Sequence, residues 1–147
     1  MRLSAGNAEC LGWEHFAHQA DIGIRGFGPT CSAAFEEAAK AMTAVVVDPA
    51  VISNSIGVEI QCEGPDKEIL LVEWLNAVIF EMATRRMLFR CFNVHIDGNN
   101  LTGAAWGEAV DVKRHAPVVE IKGATFTCLA VKRRDDGVWV AQCVVDV

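Results

Sequence analysis

Apolar residues recur along the chain at two periods, and the switches between them mark its elements. Leu11–Phe16 and Ile22–Phe27 read as strands joined by a polar link, His18–Asp21. Gly28-Pro29 breaks the extended pattern, and Thr30 or Ser32 can cap a helix over Ala33–Val47, where Phe35, Ala38, Ala39, Met42 and Val45 recur at helical spacing. Asp48-Pro49 ends it. Ile56, Val58, Ile60 and Cys62 alternate with Gly57, Glu59 and Gln61, the period of a half-buried strand. After Gly64-Pro65, Asp66 can cap the longest helix, Lys67–Arg86, whose Leu70, Trp74, Leu75, Val78 and Met82 form a broad apolar stripe. Its acids come early and Arg85-Arg86 come late, as the helix dipole favours. Leu88, Phe92, Val94 and Ile96 predict a strand that turns through Asp97-Gly98-Asn99-Asn100 into another, Leu101–Val110. A further strand is expected from Val118 to Arg133, turned back by Asp135-Asp136-Gly137 into Val138–Val147. The fold expected is a single α+β domain over residues 1–147, two principal helices on a mainly antiparallel sheet, with residues 1–10 a flexible extension.

Composition narrows the function classes. A chain of 147 residues, 52% hydrophobic, buries a core without disulfides or metal. Cys10, Cys31, Cys62, Cys91, Cys128 and Cys143 show no CxxC pair and no zinc-like spacing to histidine, so they read as small buried hydrophobes of a reducing cytoplasm. No apolar run reaches bilayer length, and the first ten residues lack a signal-peptide pattern, so no membrane association is expected. The net charge of −6, with only Arg85-Arg86 and Lys132-Arg133-Arg134 as basic patches, disfavours a direct grip on nucleic-acid phosphates. It favours docking onto a basic protein.

Familiar catalytic motifs are absent. There is no HExxH, no GxSxG elbow and no cysteine in an activating context, and Gly23, Gly26 and Gly28 do not extend to a phosphate loop. What stands out is acidity in apolar surroundings: Asp21 within HFAHQADIGIRGFG, and Asp146 within WVAQCVVDV. Alone, either aspartate is ordinarily a turn cap or a solvated strand end. Together with the carboxylate of Val147 they make a hard, oxygen-rich set of the kind that holds Ca²⁺ or Mg²⁺. His18 is a further ligand or, more ordinarily, a structural histidine. Lys122, between Ile121 and Gly123, has solvated strand polarity as its ordinary reading, and Glu108 and Asp111 that of turn residues.

The blocks His18-x-Ala20-Asp21-Ile22-Gly23-Ile24, Leu70-Leu71-Val72-x-Trp74-Leu75-Asn76, Gly107-Glu108-x-x-Asp111-x-x-Arg114-His115, Glu120-Ile121-Lys122-Gly123-Ala124-Thr125 and Val145-Asp146-Val147 follow one another in an order and spacing that resembles the archease family. The likeness runs from about Trp13 to Val147. Departures are Gln19 where the family commonly has Thr, Gly123 where it has Ala, and Phe126-Thr127 where it has Tyr-His. The resemblance implies a non-catalytic, cytoplasmic partner of an RtcB-type RNA ligase, promoting its guanylylation and repeated turnover in tRNA splicing or RNA repair. It implies contact with RNA only through the ligase. It also implies a divalent-ion site at Asp21, Asp146 and Val147, with Lys122 as its functional neighbour, and His18 and Glu108 supporting it or facing the partner. Two alternatives from other classes remain open at this point. One is a small metal-dependent hydrolase using Asp21 and Asp146 with His18 as base, and the other a chaperone-like module with an exposed apolar face.

Overall fold

The structure, a computed structural model, describes residues 12–147. The expected N-terminal extension, with Cys10 and Leu11, lies outside them. Two antiparallel sheets carry the fold. In the first, β1 (Gly12–His18), β2 (Asp21–Gly28) and β8 (Trp139–Asp146) lie side by side, while β6 (Gly123–Ala124) and β7 (Ala130–Arg133) share the far edge of β8. The second runs β3 (Ile56–Glu63), β5 (Asn100–Ala109), β4 (Met87–Asp97). The α+β expectation holds, with two sheets in place of one.

Helix α1 (Cys31–Val46) joins the sheets. Thr30 caps it by accepting the Ala33 N–H, and its many small apolar residues let both sheets close on it, leaving Glu36, Glu37 and Lys40 half-buried. On one side it presses onto β2 at Gly26, where a Cβ would meet the Ala34 carbonyl oxygen and the Ala38 nitrogen. On the other it is tied to β4: Thr43 donates to the Phe89 carbonyl (2.9 Å), and the Glu36 carboxylate accepts the Val94 N–H (2.8 Å). Helix α2 (Lys67–Arg85), capped by Asp66, reaches α1 through the buried indole of Trp74, which donates to the Phe35 carbonyl (3.1 Å). Among the described residues no helix is long and apolar enough to cross a membrane.

Three expectations need correcting. The polar link His18–Asp21 is only the two-residue turn Gln19-Ala20, because β1 and β2 pair as far as His18 with Asp21. The strand expected over Val118–Arg133 is broken into β6 and β7. Thr125 donates its hydroxyl to the Val144 carbonyl and accepts the Thr127 N–H, and Cys128 turns with φ +55°, so a local side-chain bond competes with the ladder. Upstream, Val118 donates its N–H to Val46, the last residue of α1, instead of to a strand. Lastly, the cysteines are not uniformly buried: Cys143 is, Cys31, Cys62 and Cys91 are half-buried, and Cys128 is exposed.

Candidate metal centre

The register of β2 on β8 sets the geometry at one end of the first sheet. Ile22 lies opposite Val145, and one step further along both strands stand Asp21 and Asp146. Opposite residues of an antiparallel pair project to the same face. Ile24 and Cys143, of the same parity as Ile22 and Val145, are fully buried towards the core, so the two aspartates project from the other face. His18 is paired with Asp21 on β1, and Gly123 with Asp146 on β6, which completes a row across four strands. The Val147 side chain packs against the core, which keeps its main chain beside Asp146.

Neighbouring groups hold this row in place without neutralising it. Phe16 lies over Gly23, where a Cβ would collide with its ring, and Arg25 stacks on that ring, 4.5 Å from its centroid. The same guanidinium binds Glu14 and, at 2.7 Å, Gln142. Asp21, Asp146 and His18 have no ion pair or hydrogen bond through their side chains among the described residues. Lys122, an exposed residue, donates its backbone N–H to the Asp146 carbonyl (2.7 Å), which ties it to the end of β8. Asn76 on α2 accepts the Ala124 N–H (2.9 Å), fixing the two-residue β6 from outside the sheet. Nothing in the sequence pattern singled out Asn76 beyond its place in a family block. The one local signal is a weak helix former in a helix interior.

This donor set fits a hard divalent cation. Two carboxylates without side-chain partners among the described residues, and the main-chain oxygens of Val147, are the ligand type such ions take, at about 2.3–2.6 Å for Ca²⁺. Among the described residues no group of three or more His, Cys, Asp or Glu side chains converges on one point, so His18 does not complete a cage. An ion held here would draw its remaining ligands from main-chain oxygen, water or another molecule.

Glu108 belongs to the other sheet, and its carboxylate is engaged locally. It accepts the Ser53 N–H (2.7 Å) and pairs with Arg114 (2.6 Å) and with His115 Nε2 (3.0 Å). The Arg114 guanidinium first, then the Ser53 N–H and His115, hold its carboxyl down at about 2. His115 is buried, and because its Nδ1 accepts the Asp111 N–H (2.8 Å), Nε2 carries the proton given to Glu108. This network braces a one-turn helix, α3 (Val112–His115), capped by Asp111, which the sequence pattern did not reveal. Burial pushes the Cys143 thiol up to about 12 and, as the main cause, the Cys62 thiol up to about 11, so neither is an activated nucleophile.

Comparison with known proteins decides the family. The family model described as "Archease protein family (MTH1598/TM1083)" matches residues 13–147. The chain belongs to the archease family. Protein archease of Pyrococcus furiosus is 37% identical over 139 residues, covering 92% of this chain and 98% of that protein. The Methanosarcina barkeri protein of the same name is 37% identical over 140 residues, covering 92% and 95%. In three dimensions the chain is similar to the solution structure of Methanobacterium thermoautotrophicum protein 1598, with a TM-score of 0.80 at 30% identity, covering 92% of this chain and 99% of that one. A crystal structure from Thermotoga maritima, described as an archease and possible chaperone, shares the fold with a TM-score of 0.55 at 19% identity, covering 91% and 96%. The archease blocks read from the sequence thus fall at two places: the aspartate row with Lys122 and Asn76, and the Glu108–His115 brace of the other sheet.

Proposed function

We propose that this archease is an accessory protein that holds a divalent cation, Ca²⁺ or Mg²⁺, at Asp21, Asp146 and the main-chain oxygens of Val147. With it the protein promotes guanylylation and repeated turnover of an RtcB-type RNA ligase in tRNA splicing or RNA repair. One observation supports this reading: the register of β2 on β8 brings the strand ends at Asp21 and Asp146 together, and neither side chain has an ion pair or hydrogen bond among the described residues. Their ligand set is incomplete without a further molecule, which suits an ion that acts where two proteins meet.

The protein contributes position and charge. Asp21 and Asp146 hold the ion, the Asp146 main chain is fixed by Lys122, and the Lys122 ammonium offers a cation to a partner's anionic group. Bound there, the ion supplies a hard Lewis acid to oxygen ligands of the ligase or its nucleotide. No nucleophile stands in the row, which favours an accessory role over the hydrolase reading. The net charge of −6 favours encounter with a basic ligase surface. RNA is contacted only by the ligase. The test is multiple-turnover RNA joining by the cognate ligase at low enzyme concentration, with and without this protein. Turnover beyond the first cycle only when the protein is present supports the reading. Equal turnover in both, or phosphoester hydrolysis by the isolated chain, contradicts it.

A further inference from the structure

A second feature lies beside the aspartate row, on the segment that leads into it. Residues 110–126 carry five exposed large apolar side chains, among them Val118 at 76% and Phe126 at 66% exposure. On α2, Phe80 at 62% stands one turn after Asn76, the residue that holds Ala124. Val110 and Val119 of this segment line a hollow of about 220 Å³, walled also by Val46, Ile79, Met82 and Ile121, with Glu120 its one charged lining residue among those described. Its walls are preformed: Val118 N–H bonds to the Val46 carbonyl (2.9 Å) and Val110 N–H to the Arg86 carbonyl (3.0 Å), so these main-chain groups are already satisfied.

Size and charge select the occupant. Small-molecule sites run to roughly 300–1,000 Å³, whereas a dry cavity of about 150 Å³ already accepts benzene. This hollow therefore suits one large apolar side chain. Glu120 is exposed and has no ion pair or hydrogen bond among the described residues, so it is free to take a cation beside that side chain. Ile121 lines the hollow, and the next residue, Lys122, bonds through its N–H to the Asp146 carbonyl, so the hollow's wall runs directly into the end of β8. We propose that the hollow receives a large apolar side chain, flanked by a basic residue, from the same partner that the aspartate row engages. This rests on the ligase reading above, and the partner segment is identified only by that chemistry. A fully desolvated anchor of this kind dominates the affinity of an interface.

Two variants test it. Ala83→Phe fills the hollow from its own wall, and Glu120→Lys reverses the exposed charge without touching the core. Each is assayed for thermal melting, for Ca²⁺ affinity by calorimetry, and for binding to the cognate RtcB-type ligase. The expected result is unchanged melting and Ca²⁺ affinity with at least about tenfold weaker ligase binding in both variants. Ligase binding within about twofold of the parent in Glu120→Lys, or in a folded Ala83→Phe, overturns the inference. Failure of the parent protein itself to bind the ligase overturns the ligase reading along with it, whereas loss of Ca²⁺ binding alone overturns only the ion. Suppressed aggregation of unrelated unfolded proteins, abolished by Ala83→Phe with ligase binding intact, would assign the hollow to general client capture and also overturn the inference.

Discussion

Asp21 and Asp146 each end a strand, and their adjacency follows from a single register. Replacing either by Asn keeps its volume and removes its charge. Asp21→Asn and Asp146→Asn are each expected to weaken Ca²⁺ binding by at least about tenfold in calorimetry while raising the melting temperature of the ion-free protein slightly, since like-charge repulsion is relieved. Unchanged affinity in both would remove the pair as ligands. Glu108 makes a different prediction. Its carboxyl, held at about 2 by Arg114, Ser53 and His115, lies below the ordinary carboxylate range. A carboxyl depressed by folding stabilises the fold above its unfolded value and loses that contribution as pH falls through its folded value. The stability of the parent should therefore drop between about pH 4.5 and pH 2 more steeply than that of Glu108→Gln, measured as urea midpoints across that range. Parallel curves would show that the ionised carboxylate does not brace α3.

The elements show what a pattern of residues conveys and what it leaves out. Both long helices, their caps Thr30 and Asp66, strand β3 and the β4–β5 hairpin were legible because periodicity and turn chemistry agree there. So was the pairing of the two apolar strands that carry Asp21 and Asp146. The run from Val118 to Arg133 was misread, as its apolar alternation is overridden by the hydroxyl of Thr125, a tertiary and local choice with no periodic trace. Four-residue α3 is too short to show a period, and its Lys113-Arg114-His115 run suggests a solvated face although His115 is buried under Glu108. Two substitutions act at this scale. Gly26→Ala forces β2 away from the α1 backbone and should cost about 1–3 kcal/mol by denaturant unfolding, with no loss expected only if the helix slides freely. Asn76→Ala removes the acceptor of the Ala124 N–H, so that amide should exchange faster with deuterium and Ca²⁺ binding should weaken severalfold, about the effect of one hydrogen bond. Unaltered exchange at Ala124 would show that β6 is held by β8 alone.

At the scale of the molecule, α1 bridges two antiparallel sheets, one bearing the aspartate row at its end and the other the Glu108 brace, and the segment 110–122 runs between them. That segment begins at the brace, closes the end of α1 through Val118, walls the hollow, and finishes at Lys122 against Asp146. One segment thus links the apolar hollow to Lys122 and the end of the strand that carries Asp146. The most direct test of this account follows covalent guanylylation of the cognate RtcB-type ligase by radiolabelled GTP, in Ca²⁺ or Mg²⁺, with the parent protein and with the Asp21→Asn/Asp146→Asn double variant. Labelled ligase should accumulate faster with the parent and at the unassisted rate with the folded double variant. Equal acceleration by both proteins would contradict the claim that the aspartate row carries the activity.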